Sequence, residues 1–241
     1  MKQIRVYVVC IALFCAYPAL AVRPDISQSP DGSITIQFHD NDLMWTARAL
    51  GMAFDVRVCV EDFGAVNPES KSVTPSSIEN GGPVAKEDLP RFSGAFTAFS
   101  IEEMLDAVTK STHYEWLQSN ACYVIYPRKG SLLFEKVTVD IPACSLWDAV
   151  TAIFEARSTA KKKDEPIGFA YIASGPPKIG PSDVYVTPLH LVDTPLIDAL
   201  CRAVEAVDDG TLFFWSLCGG WAHERRFGSL RTVEPLSAET K

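Results

Sequence analysis

Four histidines, His39, His113, His190 and His223, stand singly in the chain. No two share the i, i+4 spacing that lets one helix face hold a zinc ion, so neither a metal nor a cofactor is expected. No Gly-x-Ser-x-Gly elbow poises a serine on a strained turn. No glycine-rich loop ending in Gly-Lys-Ser/Thr cradles a phosphate. The acid pairs Glu102-Glu103 and Asp208-Asp209 fall at a helix start and a helix end. The first complements the helix dipole and the second is a solvated turn, so neither is an acid/base dyad. One nucleophile pair can be assembled, because Cys218 and His223 flank Gly219-Gly220 and a hairpin there brings thiol toward imidazole. A reactive thiol needs a positive, partly exposed setting, which the neighbours of Cys218 do not supply. The expectation is a non-enzymatic chain, with a thiol-dependent hydrolase built on Cys218 and His223 as the competing reading.

The residues that do stand out are aromatic. Phe213, Trp215 and Leu217 fall on one face of a strand, and Leu212 and Phe214 on the other. A small sheet with helices on one side leaves its second face to water, so a strand apolar on both faces requires cover. Either the other half of the chain supplies it, or a partner protein or second copy does, since exposed aromatic patches mark interaction sites. Phe213, Trp215 and Trp221 are thus the expected protein-binding residues. Trp221 by itself also admits a glycan-binding reading.

The N-terminus has the zones of a signal peptide over residues 1–21. Lys2 and Arg5 precede an almost wholly apolar stretch, and Pro18 stands ahead of the small-x-small site Ala19-Leu20-Ala21. The apolar run is shorter than the roughly 18 to 20 residues that span a bilayer. The mature chain is therefore expected to be periplasmic or secreted, with no stable transmembrane segment. Removing the leader takes away two positive charges and no acid, so a net charge of −8 becomes −10. Such a body repels nucleic acid and anionic lipid. Two of the seven cysteines leave with the leader. Cys59, Cys122, Cys144, Cys201 and Cys218 remain, an odd number with no C-x-x-C spacing. Most of them read as buried small hydrophobes, and their disulfide pairing stays open.

The elements that must position these residues recur. Alternating Ile34, Ile36 and Phe38 lead to a helical pattern from Leu43, and Val137, Val139 and Ile141 lead to one from Leu146. Phe96 to Ile101 and Leu191 to Leu196 repeat the same five-position interval. Ser100 with Glu103 forms a capping box, Ser145 with Asp148 imitates it, and Thr194-Pro195 places a cap before a first-turn proline. Apolar stripes follow: Leu43, Ala47, Leu50; Ile101, Leu105, Val108; Leu146, Val150, Ile153; Leu196, Leu200, Val204. Strands come after each helix, over residues 54–60, 114–117, 167–172 and 211–217. Hairpins return through 122–126 and 221–225. The expected fold is α+β, with two related modules at 31–128 and 134–230 and a tail at 231–241. Each module reads βαβ-βαββ, two helices on one face of a mixed sheet. A turn or short linker over 127–131 joins them, and long polar connections lie at 64–89 and 160–166.

The first module resembles the short N-terminal domain of secretins and TonB-dependent receptors. The likeness rests on Ser93-Gly94-Ala95-Phe96 before Ser100-Ile101-Glu102-Glu103-Met104-Leu105, and on His113-Tyr114-Glu115-Trp116 before Cys122-Tyr123-Val124-Ile125-Tyr126. It covers residues 34–127 and, more loosely, 137–226, with the 64–89 connection long for that family. The resemblance implies an envelope module of bacteria that contacts other proteins, through sheet edges or the aromatic face.

Overall fold

The computed structural model describes residues 24–62, 91–128, 131–160, 167–169, 182–207, 213–218 and 226–232. The first half holds β1 (Asp25–Gln28), β2 (Ile34–Asn41), α1 (Leu43–Phe54), β3 (Arg57–Asp62), β4 (Phe92–Ala98), α2 (Ile101–Thr109), β5 (Tyr114–Ser119) and β6 (Cys122–Pro127). The second holds β7 (Lys136–Ile141), β8 (Cys144–Ser145), α3 (Leu146–Ala160), β9 (Ile167–Phe169), β10 (Tyr185–Val186), β11 (Leu189–Pro195), α4 (Leu196–Glu205), β12 (Phe213–Cys218) and β13 (Arg226–Thr232). The fold is α+β with mixed sheets. Among the described residues, no helix is long and apolar enough to cross a membrane.

The helices start where the caps put them. Asp42 accepts the Trp45 N–H at 2.8 Å to open α1, which ends on Asp55 in the left-handed region with φ 53°. At α2 the Glu103 N–H donates to Ser100 Oγ at 3.2 Å, while the Glu103 carboxylate accepts from the Phe99 N–H at 2.9 Å, one residue earlier than a strict capping box. At α3 the shorter Asp148 accepts from the Ser145 hydroxyl itself at 2.8 Å, and Ser145 Oγ accepts the Asp148 N–H at 3.1 Å. The expected Thr194 cap of α4 is a correction. Thr194 Oγ1 donates to the Val192 carbonyl, and Pro195 takes the cap position without a side-chain bond. The free donors of that helix find main chain instead: Leu196 N–H reaches Glu135 O at 2.7 Å and Ile197 N–H reaches Leu133 O at 2.9 Å.

The sheets do not follow the expected one-sheet-per-module plan. In each half the paired strands split, and the helices pack on strands of two sheets. β1, β2 and β4 form an antiparallel sheet, and among the described residues β7 pairs with β11 and β8 with β10. The remaining strands build one six-stranded sheet in the order β5-β6-β3-β12-β13-β9. Its join is the parallel pairing of β3 with β12, Ser216 beside Val60 and Leu217 beside Glu61. Two separate modules are thereby replaced by halves that share a sheet. The physical reason is that β3 must be covered on both faces, with Val58 and Val60 buried on one and Cys59 and the Glu61 carboxylate on the other, so helices on one side leave half of its side chains uncovered.

The pairing pattern on either side of the join is the same. β6 runs antiparallel to β5 and parallel to β3, and β13 runs antiparallel to β12 and parallel to β9. Because β3 and β12 are parallel, the second trio keeps the order of the first with every strand reversed. A half-turn about an axis across the strands, plus a step along it, relates the two. That half-turn also exchanges faces. Val58, Val60 and Ile125 point into a core with α1 and α2, whereas Cys59, Cys122, Val124 and Tyr126 join the core built on α3 and α4.

Residues 131–135 link both halves. The buried Glu61 carboxylate accepts from the Ser131 hydroxyl and from the Leu132 N–H, the latter at 2.8 Å. Four residues on, Glu135 meets Arg157 of α3 at 2.6 Å, an ion pair with the guanidinium only 3% exposed. The structured connection is held at one end by β3 and at the other by α3 and α4.

Candidate protein-docking edge

Two of the three expected binding residues, Phe213 and Trp215, are not at a free surface. Phe213 is fully buried and Trp215 is 1% exposed, in the core between the sheet and α4. The cover that strand β12 requires comes from the chain itself, through β3 and β13 on its two flanks and α4 packed against it. Trp221 lies outside the described residues, as does His223. Cys218 closes β12, paired with Asp62 of β3 and Phe227 of β13. The return strand of that hairpin is Arg226–Thr232, later than the expected 221–225 and reaching into the supposed tail. Of the other histidines, His39 meets Asp25 at 3.1 Å and His190 meets Asp140, both in exposed pairs. Among the described residues, no group of three His, Cys, Asp or Glu has a geometry that would hold a metal.

Among the described residues, β5 is an outermost strand of the six-stranded sheet and has no strand on its far side. Ser119 and Cys122 flank a two-residue turn in which Asn120 has φ 52°, the left-handed conformation that suits Asn in such hairpins. Those flanking residues exchange hydrogen bonds. The alternation of an antiparallel ladder then turns the backbone groups of Gln118, Trp116 and Tyr114 away from β6. At Tyr114 local groups take them up: its N–H donates to Thr112 Oγ1 and its carbonyl accepts from Arg128 Nε, both at 3.2 Å. Gln118, by contrast, is exposed.

Beside this edge a groove of about 620 Å³ is lined by Asp106, Thr109, Lys110, Glu115, Trp116 and Arg128. Its floor is preorganised. Trp116 Nε1 donates to Asp106 at 2.8 Å, and the half-buried indole lies 6.1 Å from the Tyr123 ring at a tilt. Tyr123 in turn donates to Glu102 at 2.6 Å, which lowers the Glu102 carboxyl from its ordinary range and raises the Tyr123 phenol. Two cations and two acids line the groove, so it has no strong charge preference. It offers an aromatic wall and a strand edge unpaired among the described residues, which suits an extended peptide segment better than a small charged substrate.

Sequence reasoning placed a strand at 114–117 but did not single out Trp116. The available signal was a short strand carrying polar Glu115 and Gln118 on its two faces beside a large aromatic, the composition of a half-solvated edge. No family model, curated protein or solved structure matches this chain.

Proposed function

We propose that this chain is an exported docking module of the bacterial cell envelope, one that takes an extended segment of a partner protein as an added strand along β5, beside Trp116. The observation that carries the reading is the β3–β12 join, where the molecule already unites two parts by parallel pairing of strand edges. Export rests on the signal-peptide pattern of residues 1–21, and the envelope setting on the resemblance to the short N-terminal domains. A second copy of the chain is among the partners that fit, because β9 stands at the opposite end of the same sheet.

The test is site-specific photocrosslinking in the intact envelope. A photoreactive residue at Gln118 should give a discrete adduct, whereas one at Glu155, exposed on α3, should not. Adducts of equal yield from both positions, or none from Gln118, would overturn the reading.

A further inference from the structure

Helix α4 touches the first half along one stripe. Asp198 accepts from the Ser119 hydroxyl at 2.6 Å, and Glu205 accepts from the Ala121 N–H at 2.6 Å. Residues 198, 201 and 205 are spaced i, i+3 and i+7, one face of a helix. The hydrogen bonds on either side therefore set Cys201 over the end of the β5–β6 hairpin. Ser119 is paired there with Cys122. Both thiols are free, fully buried and close neighbours. A third buried thiol, Cys59 on β3, is the other sulfur neighbour of Cys122. The buried Trp215 indole N–H, beside Cys201, has no hydrogen-bond partner.

We propose that Cys122 and Cys201 form a disulfide that bolts α4 of the second half to the terminal hairpin of the first, with Cys59 as the unpaired neighbour. The geometry chooses between the two bonds open to Cys122. Cys59 sits two residues along the adjacent parallel strand from the partner of Cys122, which is Arg57. Strand spacing and rise put those Cα atoms about 8 Å apart. A disulfide closes at Cα separations below about 7 Å. Cys201 stands on no strand of that ladder, so the fixed inter-strand spacing that separates Cys59 from Cys122 does not set its distance, and the Ser119–Asp198 and Ala121–Glu205 hydrogen bonds draw its helix onto the hairpin end.

The chemistry needs an oxidant, and the class that fits is another disulfide, either oxidised glutathione or a protein dithiol oxidase. The Cys122 thiolate attacks that disulfide, forming a mixed disulfide and releasing one thiolate of the oxidant. Cys201, deprotonated, then displaces the second. Two protons and two electrons leave the chain, and the oxidant departs as two thiols. Burial and mutual contact hold these thiols protonated once α4 is seated. Exchange therefore belongs to the stage of folding before the helix docks.

The inference is independent of the docking reading. The full mature chain is refolded in a glutathione redox buffer, alkylated, digested and mapped by mass spectrometry without reduction. A Cys122–Cys201 linked peptide is expected in the wild type and in Cys59→Ser, and none in Cys122→Ser or Cys201→Ser. Dithiothreitol should lower the melting temperature of the wild type and of Cys59→Ser but leave the Cys122→Ser/Cys201→Ser double variant unmoved. Alkylation of both Cys122 and Cys201 after oxidative refolding, or a link joining other thiols, would overturn it. If the serine variants do not fold, the wild-type map decides alone.

Discussion

β5 and β12 hold the same rank in the pairing pattern, each the first strand of a terminal hairpin behind an amphipathic helix. Their compositions nonetheless diverge: Tyr-Glu-Trp-Leu-Gln-Ser against Phe-Phe-Trp-Ser-Leu-Cys. The difference follows their neighbours. β12 has β3 on one side and β13 on the other, and its side chains from Phe213 to Leu217 are all buried. β5 has β6 on one side and no strand among the described residues on the other, and it exposes Glu115 and Gln118. A strand's residues report its place in the finished sheet more faithfully than its place in the chain's repeating plan.

The two tryptophans give the largest test of that contrast. Trp215→Ala should cost about 3–5 kcal/mol in urea unfolding, as truncation of a buried aromatic does. Trp116→Ala, at a half-solvated groove, should cost less than half as much. Equal losses would break the comparison. Next in size is Glu61, which lies beside Leu217 in the join. Glu61→Ala leaves a buried N–H and a hydroxyl without their acceptor, and a stranded donor of this kind costs about 1–3 kcal/mol. A denaturant midpoint within error of wild type would show that residues 131–132 are not held there.

Smaller effects separate the helix starts of the two halves. Ser100→Ala should destabilise by about 1 kcal/mol. Thr194→Ala should cost less, because its hydroxyl serves Val192 and not the helix. Alkaline titration sharpens the contrast near β5. Burial, with Glu115 bonded beside it, pushes the Tyr126 phenol up to about 12 from its ordinary 10. Above pH 10 the unfolded chain releases this proton before the folded one does. The stability involved is complete below pH 10 and is lost as pH rises toward 12. Tyr126→Phe should flatten that fall, read as melting temperature against pH; an unchanged slope would reject the assignment. The smallest effect expected is Gln118→Pro, within about 0.5 kcal/mol of wild type. Its N–H faces away from the ladder, and proline is tolerated at such edge positions. A loss of several kcal/mol would mean that this edge is already paired.

Much of the local structure was legible. Helices open at Leu43, Ile101, Leu146 and Leu196, each five positions after a strand residue as the spacing implies, and all four apolar stripes are buried. These features depend on neighbours within a turn or two, where capping and periodicity act. The sheets were not legible to the same degree. Strand β1, the pairing of β8 with β10, and the parallel contact between Val60 and Ser216 arise between segments with no local signature of each other. The doubly apolar β12 announced that it needed cover, and its sequence carried no mark of which element would provide it. The β5 edge was harder still, since a strand's edge is defined by what does not pair with it.

The β3–β12 join also has a consequence for synthesis. Val60 leaves the ribosome 156 residues ahead of the Ser216 it will lie beside. Until β12 and α4 emerge, the first half has an uncovered apolar face and an unfilled strand edge, so it has no finished form to settle into. Long-range closure of this kind is slow. The growing chain therefore stays pliant through most of translation, and completes itself only when its last strands arrive.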